Sequence, residues 1–177
     1  SHQIVSDALQ ILANLEHRGA VGADPLAGDG AGILIQIPHD FLKDECKKLG
    51  FSLPPPGRYA VGHIFMPRNE RLRAHCERVW TRVVKEEGLE LLGWRTVPTD
   101  NSSLSEMVVG TEPLHRQIFI GRPSSILDQE DFERALFLVR KIVSNSIVQA
   151  YKNRDIGHYT VSLSSRTLVY KGMFLSY

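Results

Sequence analysis

Val5, Ala8, Leu12 and Leu15 recur at three- and four-residue intervals, with Ile4 and Ile11 beside them. That spacing places them on one helix face and predicts a helix over Ser6–Leu15, with Ser1 as its N-cap. From Glu16 to Ile33 the periodicity stops. EHRGAVGADPLAGDGAGI holds five glycines and two aspartates in eighteen residues and reads as a loop. ILIQIP, Ile33 to Pro38, is a β-branched, mostly apolar run, read as a buried strand closed by its proline. His39–Leu49 follows as a short helix ended by Gly50, and SLPPPG, Ser52 to Gly57, as a stiff linker and boundary.

The next hundred residues alternate in type. YAVGHIFM, Tyr59 to Met66, reads as a strand. Asn69–Glu87 carries Leu72, Cys76, Val79, Trp80 and Val83 on one helical stripe. Leu89–Val97 is a strand, Thr99–Ser105 a polar loop and His115–Gly121 a third strand. Asp128–Tyr151 is a long helix striped by Phe132, Leu136, Val139 and Val143, with Asp128 as its cap, and His158–Leu163 a further strand. Two successive βαβ units of this kind are the split-βαβ order, in which both helices are expected on one face of the sheet. Last, Thr160–Ser165 and Thr167–Phe174 alternate around Ser165-Arg166 and are expected to pair as an antiparallel hairpin.

Composition narrows the reading. With 42% apolar residues in 177, the chain can build a packed core. A net charge of +1 gives no global reason to propose a nucleic-acid or anionic-membrane partner, and no apolar run reaches membrane-spanning length. SHQIVSDALQ lacks the basic and apolar segments of a signal peptide. Cys46 and Cys76 fit a reducing, cytoplasmic compartment. Neither they nor the seven scattered histidines show metal-ligand spacing, so no metal is expected.

The glycine loop invites a nucleotide-binding reading that its context refuses. A dinucleotide fingerprint follows a strand and opens a helix, whereas GDGAGI, Gly28 to Ile33, follows a helix and opens a strand. No Gly-Lys-Ser/Thr completes a P-loop, and Asp24 and Asp29 alone do not make a calcium loop. What remains is close backbone approach beside a sheet edge. Taken by itself, His17-Arg18-Gly19 is explained by a helix C-cap at Gly19, with the Arg18 cation set against the helix dipole.

EHRGAVGAD followed by GDGAGILIQIP resembles the amidotransferase domain of the glutamate synthase large subunit. SHQIVSDAL, GHIFMP, LLGWRTVP, RQIFI and SLSSRTLVYKGM resemble further landmarks of that family, in family order along the whole chain. The resemblance implies an α+β fold, part of the αββα sandwich of an N-terminal-nucleophile hydrolase. Residues 1–177 would be part of one class II glutamine amidotransferase domain; the strand and helix pattern itself sets 57–156 within it as an inserted split-βαβ (ferredoxin-like) subdomain. It also implies glutaminase chemistry. An N-terminal cysteine, with its own α-amino group as base, attacks the carboxamide of L-glutamine; the acyl-enzyme is hydrolysed to glutamate, and ammonia leaves through a tunnel. A distant domain adds the ammonia to 2-oxoglutarate and reduces the imine with electrons from FMN and an iron–sulfur cluster.

Against that pattern, the Cys-Gly-Val-Gly phrase of the nucleophile is expected upstream of Ser1. The arginine that binds glutamine, the Asn-Gly oxyanion pair and the aspartate that holds the substrate amine are expected beyond Tyr177. Ser1 falls in helix register and reads as a cap rather than a substitute nucleophile. Cys46 and Cys76 match no nucleophile position. No catalytic residue is therefore expected in this stretch, and alone it is expected to be inactive. Arg18 is expected beside the nucleophile, and His17, Gly19, Asp24, Gly28, Asp29, Gly30, Gly32 and Arg166 in the scaffold of the glutamine pocket. The implied partners are L-glutamine, the remaining domains of the same polypeptide, and a small electron-transfer subunit or ferredoxin. No cofactor is expected in this domain. The electron donor, whether NADPH, NADH or ferredoxin, is left open. A second reading is a non-catalytic module of the same fold that docks a protein partner. Other class II amidotransferases, such as those of purine or asparagine synthesis, fit less well because they lack GWRTVP and VYKGM together.

Overall fold

The computed structural model describes residues 2–15 and 29–174. In chain order the elements are α1 (His2–Asn14), β1 (Asp29–Gln36), α2 (His39–Lys48), β2 (Tyr59–Met66), α3 (Glu70–Glu86), β3 (Glu90–Thr96), α4 (Glu106–Thr111), β4 (Leu114–Gly121), α5 (Gln129–Ala150), β5 (Tyr159–Ser164) and β6 (Thr167–Phe174). They form a mixed α and β structure in two compact units. One comprises Gln36–Pro98 and Pro113–Leu168; the other comprises the described parts of Ser1–Ile35, Thr99–Glu112 and Val169–Tyr177.

The larger unit is built on a four-stranded sheet of order β3-β4-β2-β5, with every neighbouring pair antiparallel. The central strands β2 and β4 run from Tyr59 opposite Gly121 to Met66 opposite Leu114. Period-two alternation divides their side chains between two faces. Ala60, Ile64 and Met66 join Ile118 and Ile120 on one face. There α3 contributes Cys76, Val79, Trp80 and Val83, and α5 contributes Phe132, Leu136, Val139 and Val143 to the same cluster. Both helices therefore lie on one face, as their stripes predicted. The opposite face is covered by α2 and the residues after it: Leu42 and Cys46 are fully buried, and Phe51 packs against Phe119 at 5.6 Å between ring centres.

Helix ends follow local chemistry. Asn69 and Asp128 cap α3 and α5, their side chains accepting from the backbone N–H of Leu72 and Glu130 at 3.1 and 2.9 Å. Both α2 and α3 end on a left-handed glycine, Gly50 and Gly88. The residue after each glycine returns its N–H to the last turn, Phe51 to Cys46 O and Leu89 to Val84 O, a Schellman closure. The same closure ends α5, where Asn153 N–H reaches Val148 O at 2.9 Å, but there Lys152 takes the left-handed position at φ 52°.

Four expectations require correction. First, β5 and β6 do not form a hairpin: β5 pairs with β2 in the four-stranded sheet, and β6 pairs with β1 in a separate two-stranded one. A two-residue hairpin turn requires positive φ, supplied by Gly, Asn or Asp; Ser165-Arg166 has neither that chemistry nor that conformation. Second, β1 begins at Asp29, so the last glycines of the supposed loop are strand. Gly32 permits this, because a Cβ there would stand 2.7 Å from the Tyr170 carbonyl oxygen. Third, α1 starts at His2 rather than Ser6, and its expected cap, Ser1, lies outside the described residues. Fourth, the short helix α4 was not foreseen after the polar loop.

Candidate functional site

Of the residues expected around the glutamine pocket, Arg18, His17, Gly19, Asp24 and Gly28 lie outside the described residues. Asp29 opens β1, which also carries Gly30 and Gly32. These two glycines differ in kind. Gly32 faces the β6 backbone too closely for any side chain, whereas nothing lies within 4 Å of a Cβ at Gly30. Arg166 stands at the turn before β6, on the wall of a cavity of about 210 Å³ within the larger unit.

His39, Tyr59, Gln36 and Ser165 share that cavity with Arg166. The first turn of α2 carries His39 to its position, and its Nδ1 lies 3.1 Å from the Tyr59 hydroxyl. Tyr59 is the first residue of β2 and almost wholly buried, and burial pushes its phenol up to about 12. The hydroxyl therefore keeps its proton at neutral pH and can donate to an unprotonated Nδ1.

The turn 164–166 is held by the first turns of α5. One carboxylate oxygen of Glu133 accepts three hydrogen bonds, from the Ser164 hydroxyl at 3.1 Å and from the Ser165 N–H and hydroxyl at 2.6 Å each. Gln129 Nε2 donates to the Ser165 hydroxyl at 3.0 Å. The Arg166 guanidinium pairs with Glu130, and the bond to that carboxylate raises its pKa further. These contacts commit Ser165 as an anchor, since its hydroxyl proton and its N–H both point at Glu133. The cavity offers hydrogen-bonding groups but no activated nucleophile. Sequence reasoning singled out none of His39, Tyr59, Gln129, Glu130 or Glu133. The signal available for the last two was a pair of carboxylates three residues apart in the first turns of a predicted helix.

The thiols are equally unsuited to nucleophilic work. Cys46 and Cys76 are free and buried, and burial pushes each thiol up to about 11, leaving little thiolate at neutral pH. They sit apart on α2 and α3, and among the described residues no group of three or more His, Cys, Asp or Glu could hold a metal ion. The residues present thus do not fit an iron–sulfur cluster, which requires thiolates brought together.

Comparison with known proteins sets these features in a family. The profile described as "Glutamine amidotransferases class-II" matches residues 1–177, the whole chain. The chain belongs to the class II glutamine amidotransferases. Among curated relatives of this class II amidotransferase chain is the glutamate synthase [NADPH] large chain of Bacillus subtilis, 40% identical over 98% of the chain and 11% of that protein. The ferredoxin-dependent glutamate synthase 2 of Arabidopsis thaliana is 36% identical over 99% of the chain and 11% of its own length. The glutamate synthase [NADH] of Schizosaccharomyces pombe is 36% identical over 97% of the chain and 8% of its own length. The chain thus spans about a tenth of the length of these relatives. Among the described residues of this amidotransferase stretch, no helix is long and apolar enough to cross a membrane.

Proposed function

We propose that this stretch belongs to the glutaminase domain of a glutamate synthase, which hydrolyses L-glutamine to glutamate and supplies ammonia for reductive conversion of 2-oxoglutarate to glutamate. The observation that carries the reading is the match to the class II family along the whole chain, together with the three named relatives, each a glutamate synthase. In this reading the fold is part of an N-terminal-nucleophile αββα sandwich. The four-stranded sheet with α3 and α5 is the inserted split-βαβ subdomain, a view supported by its strand order; its edge strand β5 carries that subdomain past the expected bounds of 57–156.

The reacting thiol is then neither Cys46 nor Cys76, both buried and protonated. It is a cysteine elsewhere in the polypeptide, and this stretch alone releases no ammonia from glutamine. Arg18 lies beside that cysteine and favours thiolate over thiol. His17, Gly19, Asp24, Gly28, Asp29, Gly30, Gly32 and Arg166 hold the pocket walls. The Glu130 and Glu133 contacts support such a scaffold part for Arg166, because they occupy its turn from the side of α5. FMN, an iron–sulfur cluster and the electron donor, a pyridine-nucleotide subunit or ferredoxin, act in other domains of a cytoplasmic enzyme.

Ammonia release from L-glutamine by the intact protein tests the assignment, and its absence would remove the glutaminase reading. Within it, Arg18→Ala is expected to lower turnover at least about tenfold, about 1.4 kcal/mol of barrier, and to raise the apparent pKa of the reactive thiol. Unchanged kinetics and unchanged thiol titration would leave Arg18 as a helix cap.

A further inference from the structure

A second cavity, of about 340 Å³, lies in the larger unit along the C-terminal half of α5, the connection after it and the start of the edge strand β5. Its volume is at the lower end for small-molecule sites. Ile147, Val148 and Ile156 give it an apolar wall. Two cations, Arg140 and Arg154, line it as well, and neither has an ion-pair partner among the described residues. Arg140 reaches only the Thr160 carbonyl oxygen, at 3.5 Å, which leaves most of its donors uncommitted.

Thr160 is the decisive residue. It is 4% exposed and lines this cavity, yet its hydroxyl has no hydrogen-bond partner. A buried, unsatisfied hydroxyl costs about 1–3 kcal/mol, so its retention in a cavity wall that also carries two arginines calls for an acceptor from outside the chain. The Schellman closure that ends α5, with Lys152 and Asn153 at φ 52° and 62°, turns the chain so that Asn153 and Arg154 line the cavity. His158, behind the cavity, adds no charge: its Nε2 accepts from the Trp80 indole at 3.1 Å and burial holds the ring neutral.

We propose that this cavity binds a small aliphatic carboxylic acid. Arg140, Arg154 and the Thr160 hydroxyl take the carboxylate, and Ile147, Val148 and Ile156 take the hydrocarbon body. The arrangement matches one end of the ligand to charge-assisted donors and the other to apolar surface. The acid can be free or the carboxylate end of an α-amino acid, whose ammonium group would meet Asp155 on the same rim. The site is separate from the glutaminase reading and does not depend on it.

Equilibrium dialysis of the intact protein tests this with three probes sharing one branched hydrocarbon body: 4-methylvalerate, L-leucine and isoamylamine. One or both carboxylates are expected to bind at millimolar or lower concentration, and the amine to bind at least about tenfold more weakly. Stronger binding of leucine marks an amino acid, and stronger binding of 4-methylvalerate a simple acid. Thr160→Val deletes the hydroxyl while keeping the side-chain shape, and Arg154→Gln changes an exposed position, so both variants should fold. Each is expected to weaken carboxylate binding about fivefold or more, about 1 kcal/mol. Lack of carboxylate binding at about 10 mM, equal binding of the amine, or affinities unmoved by both variants would overturn the proposal.

Discussion

Helices α1 and α3 carry similar apolar stripes but end in different environments. In α3 the stripe is spent entirely in the core: Cys76, Val79, Trp80, Val83 and Val84 are buried against the sheet and α5. In α1 the same periodicity leaves no residue buried. Val5, Ala8 and Leu12 are only half-covered, while Ile4 and Ile11 stand 62% and 58% exposed. Periodicity reports that a helix has an apolar face. It does not report what covers that face, which depends on contacts distant in sequence. Amphipathic character alone therefore leaves α1 far less constrained than α3 or α5.

The largest test of that contrast is truncation within each stripe. Leu136→Ala in α5 is expected to lower stability by about 2–5 kcal/mol, and Leu12→Ala in α1 by less than about 1 kcal/mol, as read by denaturant unfolding of the protein. Equal losses would mean that α1 is anchored as firmly as the core helices.

The same core supplies a pH test. Burial lowers the His158 imidazole to about 4 from its ordinary value near 6.5. Between those values the unfolded chain binds the proton and the folded chain does not. Stability is thus complete above pH 6.5 and falls as pH drops toward 4, by up to about 3 kcal/mol. His158→Gln keeps an acceptor for the Trp80 indole but cannot titrate, and should flatten this part of the pH profile relative to the parent. Parallel profiles would show that the histidine is not held neutral in the folded state.

A third test sets two glycines of β1 against each other. Gly32→Ala must push β1 from the Tyr170 carbonyl and should cost about 1–3 kcal/mol, whereas Gly30→Ala meets open space and should be close to neutral. Comparable effects would mean that the two-stranded sheet yields freely, unlike the four-stranded one. The smallest effect is expected at the end of α5. Lys152→Gly should stabilise by about 1 kcal/mol, since it relieves a left-handed conformation that the corresponding Gly50 and Gly88 of α2 and α3 adopt without strain. A destabilised variant would show that the lysine side chain makes a contact worth more than that strain.

Most of the element pattern was legible in the sequence because its causes are local. Stripes at Cys76–Val83 and Phe132–Val143, the cap at Asp128 and Gly50 after α2 state where helices run and stop; the structure adds Asn69 and Gly88 at the ends of α3 by the same local chemistry. The apolar run Tyr59–Met66 and the alternation in His115–Gly121 likewise read as strands, which the sheet order makes the two central ones. The family was legible too, because landmarks spread along the chain and recurred in order. Which strand pairs with which was a tertiary decision. Thr160–Ser165 and Thr167–Phe174 looked like hairpin partners by spacing, yet each lies in a different sheet. Their connection lacks hairpin turn chemistry and is held instead by Glu133 of α5, more than thirty residues earlier in the chain. The cavities were hidden for the same reason. His39 meets Tyr59, and Arg140 meets Thr160, only after helices and strands have packed. The orphan hydroxyl of Thr160 is a property of that packing, because a threonine in an alternating strand looks the same in sequence whether or not its oxygen finds a partner.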